Sequence, residues 1–355
     1  MALSIPTDMD FLSARLHGRR SRLAEAERLD GLCRLRTVAD LARAIFADAT
    51  AHTAVDLQRR LVAETVEELD EIAANVTGHA AEFLAWLGVR YQMENLKVLA
   101  RGFSSGMGAD DIRPHLIPLP GRLALRFEPF LSAGSVEAFA SLIPAETLHK
   151  SVVNLAVGPY TQNPKPFFIE AALDHGYLSH LAALVGPLSS EDRAFVLEIV
   201  RQEVETFHMM LAARGRFHYQ LSAETLAPFR VRGAGIPSER FLKMIRASDL
   251  GQLAAMAAGH AINAASASWK GAAESPRGED VALLEALAWN RYWRVANGTF
   301  RRSHMGLGAV VAFTGIRRVE LANLITLSEG IRMGLAPEVI RRRLIPRTLL
   351  ESTRV

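Results

Sequence analysis

Tyr91-Gln92-Met93-Glu94-Asn95-Leu96-Lys97-Val98-Leu99-Ala100-Arg101-Gly102 has two counterparts further along the chain. They are Val204-Glu205-Thr206-Phe207-His208-Met209-Met210-Leu211-Ala212-Ala213-Arg214-Gly215 and Val319-Glu320-Leu321-Ala322-Asn323-Leu324-Ile325-Thr326-Leu327-Ser328-Glu329-Gly330. Each copy has a polar residue, two variable positions, a second polar residue, a mostly apolar run and a closing glycine. Gln92 and Glu205 are 113 residues apart, and Glu205 and Glu320 are 115 apart. A nearly fixed period describes one structural unit used three times.

The repetition extends outward. Ile169-Glu170-Ala171-Ala172-Leu173-Asp174-His175-Gly176-Tyr177 parallels Leu284-Glu285-Ala286-Leu287-Ala288-Trp289-Asn290-Arg291-Tyr292, again 115 residues on. Downstream, the stretch from Met107-Gly108 to Pro118 parallels the one from Met333-Gly334 to Pro346, with the two Met-Gly pairs taken as equivalent. The second copy offers Leu221 to Leu226 and then Gly235-Ile236-Pro237. The expected organisation is three helical repeats over 1–120, 121–237 and 238–355.

The pattern is all-α. Val55, Leu57, Leu61, Val62, Val66, Leu69 and Ile72 follow a helical period. Ser189-Ser190-Glu191-Asp192 starts a helix, and Pro337 suits a first turn. No alternating strands separated by hairpin turns occur. Proline and glycine cluster at 116–121, 158–166 and 232–237; the outer two read as repeat junctions and the middle one as a loop. Gly102, Gly215 and Gly330 each suit a left-handed helix cap.

Composition narrows the function classes. A hydrophobic content of 49% fits a globular chain, not a disordered one. The formal charge of +3 is small and spread out, against a nucleic-acid stripe. Cys33 is the single cysteine, so a reducing compartment fits. Residues 1–10 lack a basic start followed by an apolar core, so no export signal is expected. No stretch reaches the roughly 20 apolar residues that a membrane span needs.

Two polar residues three apart share one helix face. Gln92 with Asn95, Glu205 with His208 and Glu320 with Asn323 therefore read as a buried polar staple, or as a ring of equivalent groups facing a partner. Glu146-Thr147-Leu148-His149 and Glu205-Thr206-Phe207-His208 are both Glu-x-x-His, the pairing that di-metal helical bundles use. Glu137 and Glu170 could complete such a site. Against it, the pairs equivalent to Glu205 and His208 supply no histidine, and Glu146 suits a first helical turn. No phosphate-binding Gly-x-x-x-x-Gly-Lys-Ser/Thr loop is present. Cys33 reads as a small buried apolar residue, and His260 as core or cap. Arg341-Arg342-Arg343 is either a solvated face or a contact for acidic loops or lipid headgroups.

The three copies resemble the C subunit of the bacterial and archaeal V/A-type rotary ATPases, equivalent to the d subunit of the vacuolar enzyme. That family's signature is an acid, two variable positions, asparagine and leucine. Glu320-Leu321-Ala322-Asn323-Leu324 matches it fully, and Gln92 to Leu96 at all but the first position. Phe168 to Asp174, with Tyr177, resembles the second-repeat opening. Gln92, His208 and Met209 depart from the pattern. The resemblance implies a pseudo-threefold funnel of three helical domains, without a catalytic site or cofactor. It implies a cytoplasmic, peripheral subunit that joins the central stalk to the proteolipid rotor ring for proton or sodium transport, touching the membrane only through the ring. The alternatives are a helical di-metal carboxylate enzyme or a helical scaffold for another partner.

Overall fold

A computed structural model describes residues 9–46, 53–119, 121–257, 262 and 278–346. Helices and the turns between them make up those residues, with no strand among them. In chain order the helices are α1 (Met9–Arg20), α2 (Ala26–Leu32), α3 (Val38–Ile45), α4 (Ala54–Ala74), α5 (Gly78–Ser105) and α6 (Ala109–Ile112). There follow α7 (Glu128–Leu131), α8 (Val136–Ser141), α9 (Glu146–Leu155), α10 (Val157–Gln162), α11 (Pro166–Val185) and α12 (Ser190–Ala212). The series ends with α13 (Ala223–Leu226), α14 (Ser238–Ile245), α15 (Leu250–Met256), α16 (Gly278–Ser303), α17 (Leu307–Arg332) and α18 (Pro337–Arg341). A π-helical turn, Ala213–His218, extends α12.

The chain forms two compact units: residues 82–288, and residues 1–81 with 289–355. In the first, α11 packs on α9 and α12. In the second, α17 packs on α4, α1 and α3, so helices from the N-terminal and C-terminal parts of the sequence share one core. The boundaries fall within α5 and α16, not at the ends of the sequence copies.

Local chemistry sets the helix starts. Thr53 accepts the Asp56 N–H at 3.1 Å, and Ser189 the Asp192 N–H at 3.1 Å. The same cap opens four short helices: Thr37 for α3, Ser135 for α8, Ser222 for α13 and Asp249 for α15. Four residues after each cap stands a fully buried side chain, Leu41, Phe139, Leu226 or Leu253. The pattern recurs along the chain. The sequence reading missed it because the capping residues differ in identity and share only an oxygen that accepts an N–H.

The closing glycines are not caps. Gly102 and Gly330 lie inside helices that run on to Ser105 and Arg332. The left-handed residues come four later, Gly106 at φ 64° and Gly334 at φ 66°. The Met107 N–H then bonds to the Gly102 carbonyl and the Leu335 N–H to the Gly330 carbonyl, each at 2.9 Å. The Met-Gly pairing is therefore two residues out of register: Gly106 corresponds to Gly334. The cluster at 158–166 is likewise not all loop, since Gly158 and Pro159 lie in α10.

What the closing glycines permit is close approach. A Cβ on Gly102 would sit 2.6 Å from Ile112 Cδ1, one on Gly215 2.7 Å from Leu226 Cδ2, and one on Gly330 2.6 Å from Ile340 Cγ1. Ile112 and Ile340 follow their glycines by ten residues and Leu226 by eleven. The π-helical turn takes up the additional residue of the second copy. Its left-handed position is filled by Gln220 at φ 55° instead of glycine.

Gly330→Val should overpack this contact and cost about 1–3 kcal/mol. Gly298→Ala, in α16 with no atom within 4 Å of the added Cβ, should be neutral or stabilising by up to about 1 kcal/mol. Urea midpoints of the two variants against the parent chain test the contrast.

Candidate functional site

The six motif residues are buried, with between 1% and 6% of their surface exposed. Asn95 donates from Nδ2 to the Ile117 carbonyl and accepts the Ile117 N–H at Oδ1, both at 2.8 Å. Asn323 does the same to Ile345, at 2.6 and 2.8 Å. Each asparagine thereby satisfies both backbone groups of a residue 22 positions on, where the chain returns past its own helix. His208 replaces asparagine in the second copy and accepts the Val231 N–H at Nε2, 3.0 Å away and 23 positions on. A neutral imidazole accepting there carries its proton on Nδ1. That nitrogen is buried without a hydrogen-bond partner.

The first motif position reaches into the copy that follows. Gln92 donates to the Leu123 carbonyl at 3.2 Å. Glu205 pairs with Arg240 at 2.8 Å. Glu320 accepts the Ala24 N–H at 2.5 Å and also pairs with Arg317. The residue before each closing glycine repeats this order. Arg101 pairs with Glu170 at 2.6 Å, Arg214 pairs with Glu285 at 2.9 Å, and Glu329 accepts from Gln58 at 2.7 Å. The contacts run from the first copy to the second, the second to the third, and the third back to the first.

Equivalent positions also meet directly. Arg90 and Glu203, 113 residues apart, form an ion pair with side-chain exposures of 15% and 9%. The Arg90 guanidinium lies 4.6 Å from the centre of the Tyr177 ring, and Trp86 donates to the Tyr177 carbonyl at 3.0 Å. Nearby, Lys97 holds Asp174 at 2.6 Å and Glu94 at 3.2 Å. Burial disfavours the Lys97 charge, but Asp174 and Glu94 outweigh it and raise the ammonium above its ordinary value. A cleft of about 470 Å³ opens beside these helices, lined among others by Arg101, Glu170, Phe207, Arg214 and Tyr219. Its arginines are the ones engaged by Glu170 and Glu285.

The Glu-x-x-His residues do not converge. Exposed Glu146 pairs with Lys150 at 2.5 Å, and His149 Nδ1 lies 2.8 Å from the Ala140 carbonyl oxygen. Glu205 and His208 are committed to Arg240 and Val231. Exposed Glu137 has its carboxyl held below the ordinary value by Ser135. Among the described residues no three His, Cys, Asp or Glu side chains are grouped to hold a metal. Cys33 is fully buried, and burial raises its thiol. Arg341 lies 2.9 Å from Asp30, while Arg342 and Arg343 are exposed. His260 falls outside the described residues.

The double variant Glu320→Ala/Asn323→Ala strands the Ile345 amide and the Ala24 N–H. With about 1–3 kcal/mol for each of these two amides, the loss should be about 2–6 kcal/mol. An unchanged urea midpoint would sink the staple. His208 makes a pH prediction. Burial lowers its imidazole to about 3, with the Arg230 charge and His175 acting in the same direction. Below the unfolded value near 6.5 the unfolded chain takes a proton that the folded chain refuses, so stability falls as pH drops toward about 3. His208→Asn should remove about 2 kcal/mol of the stability difference between about pH 7 and pH 5. Urea titrations of both chains at the two pH values read this out.

A model of the ATP synthase (C/AC39) subunit matches residues 12–343. The V-type ATP synthase C subunit of Deinococcus radiodurans is 22% identical over 354 residues, covering 95% of this chain and 91% of that protein. The A-type ATP synthase C subunit of Haloquadratum walsbyi is 26% identical over 184 residues, covering 49% of this chain and 53% of its own. With the match spanning nearly the whole sequence and all three motif copies, the chain belongs to the ATP synthase (C/AC39) subunit family.

Proposed function

We propose that this protein is a non-catalytic coupler in the rotor of a V/A-type ATPase. Its three repeats, 1–120, 121–237 and 238–355, stand around a pseudo-threefold axis. One end receives the central stalk and the other seats on the proteolipid ring, so that torque passes between proton or sodium flow and ATP chemistry. The exposed Arg342 and Arg343 are available to acidic loops of the ring or to lipid headgroups.

The family match over residues 12–343 carries this reading, and the Arg90–Glu203 pair supports the arrangement of the copies. Copies related by rotation bring the same position of two copies into contact only near the axis. The cyclic order of the Arg101–Glu170, Arg214–Glu285 and Glu329–Gln58 contacts supports it from the flanks. A transmitter of torque must resist shear, which close-packed helices with few voids do. The commitment of the motif carboxylates and His208 to partners in the chain fits a mechanical part. No described helix is long and apolar enough to cross a membrane, in keeping with a peripheral seat.

Affinity capture of the full chain from native membranes in mild detergent, followed by mass spectrometry, tests the assignment. Co-recovery of central-stalk and proteolipid subunits in fixed stoichiometry is the expected result. Recovery without them would reject the coupler, and stoichiometric iron or manganese in that material would point to the enzyme.

A further inference from the structure

The contacts between copies are not chemically alike. The first copy is joined to the second, and the second to the third, by continuous backbone. The third meets the first only through noncovalent contacts, where α17 lies against α1, α3 and α4, Phe300 of α16 meets His17 of α1, and Arg341 pairs with Asp30. At this seam four charges are gathered. Arg317 Nε lies 2.9 Å from Glu68, and Arg19 Nη1 lies 3.1 Å from the same carboxylate. Arg317 also pairs with Glu320, whose other oxygen holds the Ala24 N–H. Side-chain exposures are 22% for Arg19, 19% for Glu68, 14% for Arg317 and 7% for Glu320. Arg19 reaches on to exposed Glu71 at 2.7 Å.

The same repeat positions carry less charge elsewhere. The contacts of Gln58, Glu170 and Glu285 fix the register of α4, α11 and α16. In that register Glu68 corresponds to His180 and Val295. Arg317 corresponds to Val89 and Gln202, and Glu320 to Gln92 and Glu205. Where a peptide bond already holds two copies together, the trio carries one charge at most, Glu205, and the ion pairs that join those copies, such as Arg90–Glu203 and Lys97–Asp174, lie at other positions. Where nothing covalent does, it consists of charge alone. A buried ion pair is a poor adhesive compared with apolar residues of the same volume, and its best-attested uses are registry and switching.

Access completes the argument. A cavity of about 420 Å³ reaches the cluster and is lined by Arg19, Glu68, Arg317 and Glu320 themselves, together with Glu64 and Arg28. Water and small ions can therefore compete for each member of the network. Exposed pairs weaken with salt, whereas an ion pair sealed from solvent is screened far less.

We infer that the junction of α17 with α1 and α4 is an ion-sensitive latch, a contact between copies at which this chain opens and recloses. Opening separates α17 from α1 and α4 within the unit that they share and leaves the peptide-linked copies intact. This property belongs to the isolated chain and does not depend on the coupling role. Within a rotor it would let the protein close around a partner already in place.

Hydrogen exchange of the full-length chain, read by mass spectrometry at about 0.01 M and about 1 M sodium chloride, tests the latch. The screening length falls between these conditions from about 30 Å to about 3 Å. Exchange in peptides from α4 and α17 should quicken together several-fold at high salt. Peptides from α11 and α12, whose ion pairs do not close a seam without a peptide link, should respond less. A rate that is unchanged in α4 and α17, or that rises equally in all four helices, overturns the inference. The double variant Glu68→Val/Arg317→Gln, which installs the residues found where the second copy meets the third, should lose the salt response. If the variant folds and keeps it, the latch is again rejected; if it does not fold, the parent-chain comparison decides alone.

Discussion

An asparagine side chain can satisfy a backbone N–H and a backbone C=O at the same time. Asn95 and Asn323 do so for Ile117 and Ile345. Each therefore fixes where the chain goes after its longest helices end. Because a buried amide left alone is costly, the returning segment has one low-energy register. Ile112 and Ile340 are set on Gly102 and Gly330 within the same turn. Packing, turn and return are thus one cooperative device in the first and third copies. The second copy departs from it in three linked ways. His208 makes one bond in place of two, Gln220 takes the left-handed position, and the π-helical turn accommodates one residue more.

Charge is distributed by a different rule. On the long helices the buried carboxylates Glu205 and Glu320 each face an arginine, which a buried charge requires. Arg317 is held above its ordinary value: burial alone would lower it, but Glu320 and Glu68 more than offset that cost. The ion pairs on the surface, such as Glu146–Lys150, add little by comparison. The pairs that fix the register of neighbouring copies lie between these limits, partly exposed and oriented by the helices that carry them.

The helical class and the motif residues were legible in the sequence, because amphipathic period and paired polar residues are local properties. The partners of those residues were less so. That Asn95 and Asn323 reach 22 positions on could be suspected only from Ile117-Pro118 and Ile345-Pro346, which recur in register. The Met-Gly dipeptide was the more conspicuous match and led two residues astray. Closing glycines looked like caps because a glycine near a helix end usually is one; close approach to an isoleucine ten residues away leaves no mark in composition. The Arg317–Glu68 contact spans 249 residues, and nothing local announces it. The capping oxygens of Thr37, Ser135, Ser222 and Asp249 were visible, but three different residue types supply them.

The Arg90–Glu203 pair has a bearing on history. An assembly of three identical chains would have to place the same side chain at both of these positions, arginine against arginine or glutamate against glutamate. Like charges at that depth repel, and an ancestor built in this way would need a neutral residue there. Once the copies share one polypeptide, each position is free to change by itself. Duplication within a single gene thus permits an attraction that strict symmetry forbids, and the sequence difference between copies at this point is a gain in cohesion instead of a lapse in the repeat.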